Sequence, residues 1–188
     1  MNHDELLEIA HAYGTPSFLF DEGAFEARMR AASALFGDNV DVCFAVKANP
    51  FFIPAALRAQ AKLEVCSPGE LDICRALGID PAAIVFSGVN KTAETVRAAA
   101  DARVGVFTAE SPKHVRLIEA EGASRGHVLP VLLRLNAKSQ FGMSRADLLD
   151  IIAHRAEYPH VRIVGIHYFK GTQRTNLKHQ VKELAKLS

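Results

Sequence analysis

Cys43-Phe44-Ala45-Val46-Lys47-Ala48-Asn49-Pro50 is a short apolar run that ends on a single lysine and stops at a turn. The run reads as a buried strand opening into a loop, with the amine at its mouth. An ammonium ringed by apolar groups loses hydration of its charged form, its pKa falls, and the neutral amine can form a Schiff base with a carbonyl cofactor. A lysine at a strand end is also commonly just solvated, so the neighbouring segments have to decide.

Upstream, Leu6, Leu7, Ile9 and Ala10 recur at helical spacing over residues 3–13, with Asp4 and Glu5 at the N-terminal end and Gly14 at the cap. Pro16 to Phe20 reads as a short strand, Glu22 to Phe36 as a helix, and Gly37-Asp38 as the turn into the Lys47 strand. Downstream, strands at Leu63–Cys66, Ala83–Phe86, Val104–Phe107, Val128–Leu135 and Val161–Phe169 alternate with helices. The helices begin at Ser67-Pro68-Gly69-Glu70, Lys91-Thr92, Ser111-Pro112, Ser144 and Arg174; Gly78 caps the first of them, and the last runs to Leu187.

Short apolar strands alternating with helices predict right-handed βαβ units and a parallel sheet buried on both faces. Six such units follow from Val42. A (β/α)8 barrel needs eight, whereas a doubly wound open sheet is complete with six. No G-x-G-x-x-G follows any strand. Lys47, Ser67, Ser87, Thr108, Asn136 and Gly171-Thr172 fall at or just past successive strand C-termini, where a barrel gathers its chemistry.

Composition narrows the field. The chain has 188 residues, is 49% hydrophobic, and balances 22 basic against 21 acidic side chains, so nucleic-acid and membrane-surface roles find no electrostatic support. No apolar run reaches the roughly 18 residues of a membrane span and no leader pattern opens the chain, which reads as cytoplasmic. Cys43, Cys66 and Cys74 read as reduced core residues, and the eight histidines show no metal-ligand spacing, so no metal is expected.

Six segments occur in a telling order: Ala45-Val46-Lys47-Ala48-Asn49; Glu64 to Leu71; Val85 to Thr92; Leu132-Leu133-Arg134-Leu135-Asn136; Ser139-Gln140-Phe141-Gly142-Met143; and Gly165 to Gln173. Together they resemble the N-terminal half of the fold-type III decarboxylases that use pyridoxal phosphate (PLP), the group of diaminopimelate and ornithine decarboxylases. The resemblance implies an α/β fold, a (β/α)8 TIM-type barrel of the alanine racemase-like kind, incomplete at about six units. It implies residues 1–24 as a helix and strand that would join a C-terminal β-domain, and residues 25–188 as a partial PLP-binding barrel. Lys47 would form the Schiff base with PLP, Glu64 would lie near the cofactor ring, and Arg134 would point toward it. Gly171 and Thr172 would replace a Gly-Ser pair at the PLP phosphate, a placement that small residues near a helix N-terminus suit.

Each residue also has a plainer reading. Glu64 can be an ordinary strand-end carboxylate, His167 a satisfied core histidine as readily as a cofactor-binding residue, and Thr172 a helix N-cap. Arg134 inside an apolar strand needs a partner, and either a cofactor or a neighbouring carboxylate serves. Phe169 stands where the family has a histidine stacked on the cofactor; a phenyl ring stacks but carries no proton. The family's remaining strands, Gly-rich phosphate loop and β-domain have no counterpart in the sequence, which implies a fragment, inactive alone, of a homodimeric enzyme. Its substrate would be a small amino acid, free or carrier-tethered, decarboxylated or racemised. The competing readings are a non-enzymatic PLP-homeostasis protein and an inactive regulatory paralogue.

Overall fold

A computed structural model of the chain describes residues 1–37, 39–172 and 176–187. Its backbone divides into two compact units, Met1–Leu63 and Glu64–Ser188.

The first unit carries α1 (His3–Tyr13), α2 (Glu22–Phe36), β1 (Cys43–Ala45) and α3 (Ile53–Arg58). Local chemistry sets the first two helices. Asn2 and Glu5 form a reciprocal capping box on α1, and the Asp21 carboxylate accepts from the Ala24 N–H at 2.8 Å to start α2. Gly14 and Gly37 end them. Arg58 of α3 pairs with Glu22 and Glu26 of α2, while Phe20, Phe25, Phe44 and Phe52 form an aromatic cluster in which Phe20 and Phe52 stack at 3.7 Å.

One expectation fails in this unit and one helix had gone unread. Pro16–Phe20 forms no strand, because an extended segment becomes a strand only when a neighbour takes up its backbone groups, and none does so here among the described residues. Helix α3 went unread because Pro50 and Pro54 look like breakers there; Pro54 in fact occupies its first turn, where a missing N–H costs nothing.

The later elements are β2 (Lys62–Val65), α4 (Pro68–Ala76), β3 (Ile84–Phe86), α5 (Ala93–Asp101), β4 (Val106–Ala109), α6 (Pro112–Arg125), β5 (Leu129–Leu135), α7 (Arg145–Ala153), β6 (Val161–Tyr168) and α8 (Leu177–Leu187). Ser67, Thr92, Ser111 and Ser144 are the N-caps of α4 to α7. The helix expected from Ser144 to Glu157 ends at Ala153 and gives way to a 3-10 turn at Arg155–Glu157. Asp38, Gln173 and Arg174, to which the sequence assigns a turn and a helix start, lie outside the described residues.

The strands are ordered β1-β2-β3-β4-β5-β6. A doubly wound sheet would reverse direction partway through its order; the unbroken sequence order is that of an incomplete (β/α)8 barrel. Pairing is parallel from β3 to β6, with Phe86 opposite Phe107, Thr108 opposite Leu132 and Arg134 opposite His167. Strand β4 starts two residues later than the sequence suggested, because the Gly105 N–H is drawn to the Pro81 carbonyl at 2.8 Å. Between β5 and β6 the register shifts at Val131/Leu132: Val131 faces Ile163 but Leu132 faces Gly165, leaving Val164 as the extra residue.

Alternation within the strands sorts the side chains. Leu63, Val65, Phe107, Ala109, Val131 and Leu133 are fully buried, whereas Glu64, Thr108 and Arg134 occupy the intervening positions. Cys74 is buried as expected, but Cys66 is only half-buried and Cys43 is exposed, which removes Cys43 from the core. No helix among the described residues is long and apolar enough to cross a membrane.

Candidate active site

The alternation leaves a polar row at the C-terminal ends of β2 to β6 in the second unit. Ser87, one residue past β3, meets Thr108 of β4 at 3.1 Å, hydroxyl to hydroxyl, and both are buried. One position beyond β4, Glu110 accepts from Arg134 Nη1 at 2.7 Å, with side chains only 6% and 12% exposed. The sequence left two partners open for Arg134, and within this unit the carboxylate is one that it has. Among the described residues its Nε and Nη2 remain available to another acceptor.

The loop after β5 completes the arginine's surroundings. Asn136 Nδ2 donates to the carbonyls of Ser139 (2.7 Å) and Phe141 (2.8 Å), and the Met143 N–H returns to the Arg134 carbonyl at 2.9 Å. This cinch brings the Phe141 ring to 5.2 Å from the guanidinium carbon. Arg134 is thus held by a carboxylate and an aromatic ring. The Ser139 to Met143 segment owes its place in the site to that geometry.

Lys91 is the residue that sequence reasoning missed. It reads locally as a helix start, yet it is 3% exposed and folds back so that Nζ donates to the Ser87 carbonyl at 2.9 Å and the Gly88 carbonyl at 2.7 Å, 5.3 Å from the Phe86 ring centroid. Burial pulls its pKa down to about 8, with Glu110, Cys66 and Glu64 acting to raise it and Arg134 to lower it. Glu110 and His114 were likewise unread. The available signal was Glu110 itself, two residues past Thr108 and so on the same side of the strand's alternation.

His114, on the first turn of α6, accepts the Glu110 N–H at Nδ1, 3.2 Å away. Burial and then the Lys91 charge lower its pKa from 6.5 to about 4. The native form is therefore neutral while the unfolded chain takes a proton near the ordinary value, so stability is lost as pH falls from about 6.5 toward about 4. His114→Asn, which keeps an acceptor near the Glu110 N–H, is expected to flatten that part of the stability profile. Urea denaturation at half-unit pH steps measures it; an unchanged slope would refute the assignment.

The remaining sequence-assigned residues fall as follows. His167 is the register neighbour of Arg134 and half-buried. Glu64 lies within electrostatic range of Lys91. Phe169, beyond the end of β6, is 49% exposed. Gly171 has φ +151 with open space around the position of a Cβ, and Thr172 is exposed. Lys47 belongs to the first unit, in a 3-10 turn (Val46–Ala48) directly after β1; Val46 is fully buried, but Lys47 is exposed. Among the described residues the apolar enclosure expected around its amine does not form: β1 ends at Ala45, and Lys47 lies exposed in the turn that follows. Among the described residues no three potential metal-binding side chains cluster.

Parallel strands in chain order with polar side chains and loops at their C-terminal ends define a barrel-type α/β protein, a class that gathers its chemistry at that end. The chain belongs to the pyridoxal-dependent decarboxylases: residues 22–188 match that family's pyridoxal binding domain. The diaminopimelate decarboxylase of Pseudomonas aeruginosa is 33% identical over 97% of this chain and 48% of its own length. That of Zymomonas mobilis is 35% identical over 92% of this chain and 46% of its own length. The chain spans about half the length of the curated relatives it matches. In fold, the crystal structure of diaminopimelate decarboxylase from M. jannaschii in complex with L-lysine gives a TM-score of 0.83 at 22% identity, over 97% of this chain and 48% of that one.

The residues present suit pyridoxal phosphate. Arg134 keeps guanidinium donors for an electron-rich or anionic group, and the open space at Gly171 lets a phosphate approach backbone.

Proposed function

We propose that this chain is the N-terminal barrel portion of a PLP-dependent amino-acid decarboxylase of the diaminopimelate decarboxylase kind. The observation that carries the reading is the partly buried Arg134, held between Glu110 and Phe141 yet keeping donors, within a domain that matches the family's cofactor-binding domain. Residues 25–188 are the barrel portion, and residues 1–24, with the extended Pro16–Phe20, are the segment that would join a β-domain. At full length the protein would be a cytoplasmic homodimer acting on a small amino acid, free or carrier-tethered.

Bound PLP supplies an electron sink for the charge left when a carboxylate departs as CO2. Lys47 would supply the amine that holds the cofactor, and a free Lys47 amine could carry a proton. Arg134, oriented by Glu110, would offer its unengaged edge to the cofactor. Gly171 and Thr172 would take the phosphate, and His167, Phe169 and Glu64 would hold the ring. Phe169 contributes stacking only, so no proton passes through it.

Borohydride reduction of the PLP-treated chain, followed by peptide mapping, tests the central assignment. The pyridoxyl label is expected on Lys47; its appearance on Lys91 or elsewhere instead would overturn it.

A further inference from the structure

The loop after β5 is tied down more firmly than a connection from strand to helix requires. Asn136 spends its whole carboxamide on it: Nδ2 donates to the Ser139 carbonyl at 2.7 Å and the Phe141 carbonyl at 2.8 Å, while Oδ1 accepts the Lys138 N–H at 2.7 Å. The Asn136 N–H donates to the Met143 carbonyl at 2.8 Å and the Met143 N–H to the Arg134 carbonyl at 2.9 Å, so the chain comes back beside the residues it left. Lys138 (φ +63°) and Gly142 (φ +83°) turn left-handed to allow this. A Cβ at Gly142 would stand 2.9 Å from the Asn136 nitrogen and 3.0 Å from the Arg134 carbonyl oxygen, both backbone atoms, so the return path needs a glycine. Ala137 and Met143, the two shoulders of the loop, are buried, and residues 138–140 at its tip are exposed.

We propose that Asn136 is a positioning residue for Arg134: by closing the loop it holds the Phe141 ring against the guanidinium, so that the arginine presents its Nε and Nη2 donors in one fixed direction. A turn that only joined β5 to α7 could leave the Ser139 and Phe141 carbonyls to water, since its tip is exposed. Instead one amide collects both, and the closure delivers an aromatic ring to 5.2 Å from the guanidinium carbon. Glu110 holds Nη1 at 2.7 Å. With one nitrogen on the carboxylate and the ring setting the tilt of the plane, Nε and Nη2 form a fork of donors suited to an oxyanion or another electron-rich acceptor. Only the identity of that acceptor, an atom of PLP, rests on the proposed function.

Side-chain NMR of the [15N]arginine-labelled chain tests the positioning without cofactor. The Arg134 Nε–H resonance is assigned by its loss in Arg134→Lys. In the native chain it should show a through-space cross-peak to the Phe141 ring, and absence of that cross-peak would overturn the proposal even where a variant does not fold. Phe141→Leu removes the ring and should move the resonance, whereas Phe141→Tyr should leave it in place. Asn136→Asp keeps the shape and the acceptor for Lys138 but sets an oxygen against two carbonyls; it should carry the resonance toward its Phe141→Leu position, and adding Phe141→Leu should move it no further. A resonance unmoved in Asn136→Asp would mean that the amide only stiffens the turn, which overturns the proposal, as would shifts that add in the double variant. In a second arm, PLP affinity read by visible absorbance should fall about tenfold in Asn136→Asp and in Phe141→Leu, the scale of one lost cation–π contact. Unchanged affinity in both variants would overturn the positioning role. If PLP binds no form of the chain while the resonance moves as expected, the cofactor reading falls and the role of Asn136 stands.

Discussion

Replacing Glu110 with glutamine is expected to destabilise the chain by about 3 kcal/mol, because it strands buried cations rather than removing a surface ion pair. The carboxylate and its guanidinium are 6% and 12% exposed, and Lys91 contributes a further positive charge to the same cluster. With Glu110 neutral, Lys91 and Arg134 repel one another across a poorly hydrated space, and the Lys91 pKa should fall further below about 8. For a chain of this size the loss corresponds to a fall in Tm of roughly 6–12 °C. Because breaking a buried pair costs more than deleting both members, Glu110→Gln combined with Arg134→Met should recover part of it. Denaturation of the three variants measures this; a single-variant loss below about 1 kcal/mol, the scale of an exposed ion pair, would show that the cluster is solvated in solution.

A still larger effect is expected from Gly88→Ala. A Cβ at Gly88 would lie 2.2 Å from the Cys66 carbonyl oxygen and 3.0 Å from its carbon, both backbone atoms, and φ is +95. Neither partner has a flexible end that could retreat: Ser87 N–H donates to the Val65 carbonyl at 2.8 Å, so the two segments are tied immediately beside the clash. The cost should exceed about 4 kcal/mol, in the range reserved for severe steric or buried-charge defects. Gly78→Ala is the matching control. It has φ +66 but open space around its Cβ, so only the conformational cost of about 1 kcal/mol applies. Equal losses at the two positions would mean that the contact with Cys66 is not what confines Gly88.

What sequence could and could not reveal divides along the range of the interactions. Helix starts were legible because a cap is written within four residues, as at Asp21, Ser67, Thr92, Ser111 and Ser144. Strand alternation was legible enough to place Thr108 and Asn136 at one end of the sheet. The choice between barrel and open sheet was not, because six βα units fit both and strand order alone separates them. Arg134 announced itself as a charge in an apolar run, but its partner lies 24 residues away and no local pattern names it. Lys91 was hidden for a related reason: it looks like an exposed residue ahead of α5, and only the packing of Phe86 and the turn at Gly88 put it indoors. Lys47 erred in the opposite direction, since the apolar residues preceding it in sequence do not surround its side chain once β1 ends at Ala45.

The unpaired Val164 gives this part of the sheet an unusual tolerance of a one-residue loss. Had β6 continued in the register it starts with, Ile166 would stand beside Arg134 and His167 beside Leu135. Losing Val164 would straighten the strand and leave the imidazole next to the guanidinium, whereas straightening it with every residue kept would put a hydrocarbon there. Such a domain can then shorten this strand by one position while the pairs that follow stay as they are.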